Sequence, residues 1–267
     1  MEKNRILIRP AQPEDRGQML AISAAIGDDY LDHVLDRWLA EERGEFSVAL
    51  LGGRIVGYSK FSQLLPGQGW LQGARVDVNL QGQGIGRALT HHHMELARIQ
   101  GCATLRMVTD SDNIASRTLA EKLGFFLAGE YTRFRCAPLS QGAAVPQVEK
   151  YMGLPPIPGN GIVSAGWTFY SWDEAMMEQW ALEGKLYGSC QAGMAMMQGN
   201  RRERVNILML WGAPEEVRPL LTFARRQPPT VELVNCIVSD DKYDQILLDA
   251  GYKNLDDHTM VVYQYNL

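Results

Sequence analysis

Three glycines at alternate positions, in Gln81-Gly-Gln-Gly-Ile-Gly-Arg-Ala-Leu89, stand where a strand-like stretch gives way to the helical spacing of Ala88 to Gln100. Free N–H groups at a helix start carry partial positive charge, and residues without a Cβ let a phosphate approach the main chain. Pyrophosphate binding is the chemistry this arrangement serves. A dinucleotide fingerprint fails on context, because the preceding segments read as antiparallel strands and no acidic residue closes a second parallel strand about 20 residues on. Glycine spacing alone is common in ordinary turns, so the strand-to-helix placement carries the reading.

Other reactive side chains group less well. His91, His92 and His93 occupy successive positions that fan over roughly 200° of a helix surface, which predicts a solvated or partly buried face and no metal site. The cysteines at 102, 136, 190 and 236 match neither paired metal ligands nor a small disulfide scaffold, and are expected as buried thiols. Met176, Met177, Met194, Met196 and Met197, with Trp167, Trp172 and Trp180, read as adaptable core packing.

The elements that must position the glycine segment follow from pattern. Arg5 to Arg9 alternates as a strand, and Pro10 to Asp15 suits a turn and helix start. Leu31, Val34, Leu35, Trp38 and Leu39 recur at helical spacing. Phe46–Leu51, Ile55–Phe61 and Gly69–Val78, separated by Gly52-Gly53 and Pro66-Gly67, read as a three-stranded antiparallel meander. After the helix from Ala88, Thr104–Thr109 is a strand. Asp112-Asn113 caps a helix that ends at Gly124, and strands follow near Phe125–Leu127 and Glu130–Arg135.

This order, with Gln81-Gly-Gln-Gly-Ile-Gly86 and Asn113 followed by Ala120-Glu-Lys-Leu-Gly-Phe125, resembles the GNAT superfamily of acyl-CoA-dependent N-acetyltransferases. The resemblance implies an α+β fold with a mixed sheet and acetyl-CoA as co-substrate. It places the thioester arm along Val76, Asp77 and Val78, with the Val78 N–H polarising the carbonyl. Gln81, Gly82, Gln83, Gly84, Ile85, Gly86, Arg87, Ala88 and Leu89 would cradle the pyrophosphate. Asn113 and Ser116 match positions that contact the pantetheine or adenosine part, although Asn113 is also a good N-cap and Ser116 could simply face solvent.

The proton path departs from the family pattern. Where many members carry a general-acid tyrosine this chain has Ala120, so the Ser116 hydroxyl one turn away, or a water, is left for that role. Gln72, on the face of Ala74 and Val76 by period-two counting, stands where relatives carry a carboxylate base, and glutamine cannot act as one. Direct attack by a neutral amine is therefore expected, with Tyr131, Tyr30 or a water accepting the proton. Gln72, Arg75 and Tyr30 are the acceptor-side candidates. Arg75 would hold a carboxylate if it faces the cleft, and is otherwise a surface strand residue.

The remaining length has its own pattern. Residues 137–160, rich in Pro and Gly, read as a linker between a first domain at 1–136 and a second at 161–267. Sliding the chain on itself by 127 residues lays Met94–Gln100 over Leu221–Gln227, Gly124-Phe125 over Gly251-Tyr252 and Glu130–Thr132 over Asp257–Thr259. The second half then reads as a degenerate GNAT-like copy, against the alternative of a chance match of two α+β segments. In that register Gly84–Leu89 falls on Trp211-Gly-Ala-Pro-Glu-Glu216, where Pro214 removes a donor and two glutamates oppose a pyrophosphate, so no CoA is expected there. This layout, with Ala21-Ile-Ser23, Asp29-Tyr30-Leu31, Trp38-Leu39, Gly73-Ala-Arg-Val76 and the segment Gly161 to Gly184, resembles the two-domain acetyltransferases related to the vertebrate histidine N-acetyltransferase. That implies a small amine or free amino acid as acceptor. A protein N-terminus or lysine, and a non-catalytic acyl-CoA-binding module, are the alternatives.

Composition narrows the partners. A net charge of −5 and 21% charged residues supply no cationic surface for nucleic acid, while 46% hydrophobic residues suffice for a sizeable core. No apolar run reaches the roughly 20 residues that span a bilayer, and Met-Glu-Lys-Asn-Arg opens without a signal core, so a cytoplasmic protein is expected, as monomer or homodimer.

Overall fold

The computed structural model describes residues 5–27, 30–140, 142–199, 203–228, 230–255 and 258–267. The chain divides into two compact units. One comprises Met1–Val108, Asn113–Phe126 and Tyr263–Leu267, the other Thr109–Asp112 and Leu127–Val262. Asp29 and Asp257, which enter two of the sequence comparisons, lie outside the described residues.

The first unit runs β1 (Leu7–Pro10), α1 (Arg16–Ile26), α2 (Leu31–Ala40), β2 (Gly44–Leu51), β3 (Arg54–Leu65), β4 (Gln68–Val76), α3 (Ile85–Ile99), β5 (Thr104–Asp110) and α4 (Ile114–Lys122). Strands β1 to β4 pair antiparallel in sequence order, and β5 joins β4 in parallel. The β2–β3 turn uses Gly52 and Gly53, at φ 59° and 83°, the left-handed pair that a tight two-residue hairpin requires. Helical spacing brings Met19, Ile22, Leu31, Leu35 and Trp38 onto Phe46, Val48 and Tyr58 on one sheet face. Ile85 and Leu89 of α3 cover Ala49 and Val56 on the other.

The chain continues as β6 (Phe126–Cys136), β7 (Ile162–Ala165), β8 (Thr168–Ser171), α5 (Glu174–Leu182), β9 (Leu186–Gly188), β10 (Gly193–Gln198), β11 (Arg204–Trp211), α6 (Pro214–Ala224), β12 (Leu233–Val238), α7 (Asp244–Asp249), β13 (Lys253–Asn254) and β14 (Met260–Asn266). In the second unit β9, β10 and β11 pair antiparallel, β12 joins β11 in parallel, and β6 pairs antiparallel with β12. Val217, Leu220 and Leu221 of α6 and Ile246 and Leu247 of α7 pack on Val205, Ile207, Val234 and Cys236. The β7–β8 hairpin lies over β11, and the Ser164 hydroxyl donates to the Leu208 carbonyl at 3.2 Å.

Several sequence expectations shift. The fourth strand stops at Val76 and not Val78, because Asp77, at ψ 125°, caps a 3-10 turn over Val78–Leu80 by accepting from the Asn79 N–H. The two strands placed near Phe125 and Glu130 are one, β6. β6 from Leu127 onward runs within the second unit, where a first domain of 1–136 would not put it, and Tyr263–Leu267 of β14 belong to the first. Residues 137–160 carry no helix or strand among those described. Cys102, Cys136 and Cys236 are buried, whereas Cys190 is exposed. Trp167 is exposed as well, although Met176, Met177, Met194 and Trp180 are core.

An offset of 127 residues places α3 on α6, β5 on β12 and α4 on α7. The connections before the helices differ. Residues 77–84 link β4 to α3, but only Gly212 and Ala213 link β11 to α6. Among the described residues, no helix is long and apolar enough to cross a membrane.

Candidate active site

A cleft opens inside the first unit because two parallel strands part. β4 and β5 pair from Gln68 with Thr104 as far as Leu71 with Met107, and the ladder ends there. Gln72–Val76 therefore keep their ladder to β3 but have none to β5. Within this stretch Lys60 faces Gln72 and Tyr58 faces Arg75, so β4 carries one residue more than β3. The bulge falls at Gly73-Ala74, with Gly73 at φ 63°.

That bulge corrects the period-two count. Gln72 shares its face with Arg75, while Val76 turns to the α3 side beside Ile85 and Leu89. A glycine inside a strand pattern was the available signal.

The glycine segment has the form the sequence predicts. Gly82 and Gly84 sit at φ 76° and 84°, where other residues are strained, and a Cβ built on either meets nothing within 4 Å. Gly84 is the N-cap of α3 and offers no side chain to its free amides, so the positive helix end is open. α3 begins at Ile85, three residues before the expected Ala88, and Ile85 and Leu89 are buried while Gln81, Gln83 and Arg87 are exposed. At the start of α4, Asn113 accepts from the Ser116 N–H at 3.1 Å, so its side chain is engaged as the cap. Ala120 is buried. Val78, half exposed, is the first residue of the 3-10 turn that leads into the glycines.

On the opposite sheet face the acceptor-side candidates converge on the bulge. A Cβ on Gly73 would lie 2.4 Å from Trp38 Cη2 and 3.4 Å from the Tyr30 hydroxyl, so both rings stand directly over it. Tyr30, Trp38, Phe46 and Tyr58 form a run of edge-on ring pairs with centroids 5.2 to 5.9 Å apart. Gln72 Nε2 reaches the Ser62 hydroxyl at 3.4 Å, and Arg75 donates to the Ala74 carbonyl at 3.0 Å. Lys60, which no local pattern singles out, is fully buried beside Gln72, with Nζ 3.4 Å from Glu41 Oε2. Burial pulls its pKa down against the opposing field of Glu41.

His92 and His93 build structure on the α3 side, whereas His91 is exposed. His93 is buried between the Ser47 hydroxyl at 2.8 Å and the Ser59 hydroxyl at 3.3 Å, and burial pushes its pKa down to about 3. His92 Nε2 lies 2.6 Å from Glu45. Burial raises the Glu45 pKa, but the hydrogen bonds from His92 and Ser47 outweigh it and hold the carboxylate below its ordinary range. No group of three metal-ligating side chains occurs among the described residues.

Tyr131 stands apart from these. It is buried in the second unit, its ring 4.7 Å from Phe169 and its hydroxyl accepting from Asn160 at 2.8 Å. In that unit the α6 N-terminus is filled by the chain itself, since the Ala213 N–H donates to Glu216 Oε2 at 3.2 Å and Pro214 has no donor.

Residues 16–125, which hold the cleft, the glycine segment and α4, match the model of the GNAT acetyltransferase family. This segment belongs to that family. That match supports an N-acetyltransferase with acetyl-CoA as its co-substrate. No curated protein matches the sequence. The GNAT fold extends over both units in solved structures. A GCN5-related N-acetyltransferase from Sphaerobacter thermophilus is 14% identical with a TM-score of 0.64, over 100% of this chain and 97% of the other. A candidate acetyltransferase from Thermoplasma acidophilum is 18% identical with a TM-score of 0.63, over 98% and 100%. One from Pyrococcus horikoshii is 13% identical with a TM-score of 0.62, over 98% and 89%.

Proposed function

We propose that the protein moves the acetyl group of acetyl-CoA to the amine of a small molecule, a free amino acid being the leading case, by direct attack on the thioester in the first unit. The parting of β4 from β5 after Leu71 and Met107 carries this reading. An amide-bearing pantetheine arm can lie along Gln72–Val76 on the side that faces away from β3, while the amides at the start of α3 take the pyrophosphate. Asn113 and Ser116 would border the cofactor from α4.

A tetrahedral intermediate needs donors aimed at its oxyanion. The Val78 N–H fills that role in this proposal. The amine would arrive neutral across Gln72 and Arg75, under the exposed hydroxyl of Tyr30, which takes the proton directly or through water. Arg75 is the cation for an acceptor carboxylate. Ser116 or a water returns a proton to the leaving thiolate, because buried Ala120 has nothing to give. Tyr131, buried and hydrogen-bonded in the second unit, is the weaker proton acceptor of the two tyrosines.

The second unit would bind no CoA, given its two-residue connection and self-capped helix. On this reading it is a degenerate GNAT-like domain, as in the two-domain acetyltransferases related to the vertebrate histidine N-acetyltransferase. CoA release from acetyl-CoA, measured against amino acids, polyamines and basic peptides in parallel, tests the proposal. Turnover confined to peptides would replace the acceptor class, and tight CoA binding with no turnover on any amine would make the protein a binding module.

A further inference from the structure

The parting of parallel strands occurs twice in this chain. In the second unit β11 and β12 pair from Arg204 with Leu233 as far as Ile207 with Cys236, and then separate. Between their ends, Leu208–Gly212 and Ile237–Asp240, lies a cavity of about 200 Å³, bounded on a further side by Ile162 and Ser164 of β7.

We propose that this cavity binds a free amino acid with an apolar side chain, at a site that performs no acetyl transfer. Three observations set the ligand class. Phosphate is excluded at the adjoining helix, where Glu216 already occupies the Ala213 N–H and Glu215 adds negative charge. The volume falls below the roughly 300–1,000 Å³ of ordinary cofactor pockets, so the occupant is small. Ile162, Trp211 and Ile237 supply apolar walls, while Asp240 and Lys242 also border the space.

Those two charges form an ion pair at 2.8 Å with both side chains nearly half exposed. A pair so exposed contributes little by itself, so a ligand can part it at small expense. The ammonium of an amino acid replaces Lys242 on the Asp240 carboxylate, and its carboxylate replaces Asp240 on the Lys242 ammonium. Its side chain then enters between Ile162, Trp211 and Ile237. No covalent step is involved.

Calorimetric titration of the full chain with leucine, phenylalanine and histidine, without acetyl-CoA, tests this directly. Binding of an apolar amino acid is expected. Ser239→Trp, which fills the cavity from an exposed lining position, and Lys242→Met should each weaken it at least tenfold with melting and acetyl transfer preserved. Gly73→Leu, which blocks the acceptor face of the first unit, should leave the same binding unchanged. No binding by any of the three, or binding that survives Ser239→Trp and Lys242→Met and is lost in Gly73→Leu, overturns the proposal. The CoA-release assay reads the first unit separately, so the two proposals fail independently.

Discussion

The Tyr263 hydroxyl donates to Glu121 Oε1 across 2.6 Å, tying the end of the chain to α4 within the first unit. Arg117 Nε lies 3.4 Å from the same oxygen, the Tyr265 ring sits 5.4 Å from Phe125, and Arg106 donates to Gln264 at 2.8 Å. Residues 263–267 thus complete the unit whose other members are all N-terminal to residue 127. A hydrogen bond to a carboxylate is worth about 1.5–3 kcal/mol. Tyr263→Phe should lower stability in urea by about 1–2 kcal/mol, with acetyl-CoA affinity little changed. Deleting 263–267 should abolish cooperative melting of the first unit.

Val78 offers a clean test of the oxyanion role. It is the first residue of a 3-10 turn and follows Asp77 in extended backbone at ψ 125°, a setting that accepts proline. Val78→Pro should fold with an unchanged melting temperature and lose about 10²- to 10³-fold in kcat. Full activity in that variant would remove Val78 from the mechanism.

The two glycine positions should separate cofactor from acceptor. Gly84→Val forces a branched side chain to φ 84°, a strain of about 1–2 kcal/mol, and should raise the KM for acetyl-CoA at least tenfold. Gly73→Leu drives its Cβ into Trp38, 2.4 Å away, and displaces the bulge. Its kcat/KM for the amine should fall about 100-fold or more, while CoA still binds in a titration.

Acid should weaken the fold through His93. Its folded pKa of about 3 lies below the unfolded value near 6.5, so the unfolded chain takes up a proton that the folded chain refuses. The stability this supports is fully present above pH 6.5 and is lost as pH falls towards 3, by about 2 kcal/mol at pH 5. Burial is the main cause; His92 and Lys60 add to it, Glu45 opposes it, and the Ser47 and Ser59 hydroxyls lie against the ring nitrogens. Denaturant midpoints at pH 5 and 7 should converge in His93→Gln, although that variant is less stable at both.

The elements of the first unit were legible because each has a local cause: glycines at the hairpin turns, three-and-four spacing on α2, an asparagine cap on α4. Strand ends and faces were less so. Nothing local distinguishes Val78 from a strand residue. Only the partner strand reveals that Gly73-Ala74 oppose a single residue and so turn Arg75 to the side of Gln72. Lys60 looked like an ordinary alternating position, and its burial comes from Phe46, Gln72 and Glu41, which are distant or unremarkable in sequence. The place of Tyr263 beside α4 spans 142 residues of chain and has no short-range signature.

That long return has a consequence for the nascent protein. A ribosome that has finished α4 must still make the residues from 127 to 262 before the segment that covers the β5 edge exists. During that interval an apolar edge stands open to other chains, as edge strands do, and chaperone dependence is the natural cost. Stalled or truncated translation products would then carry β4, the glycine segment and α4 and still lack the strand that lies beside β5.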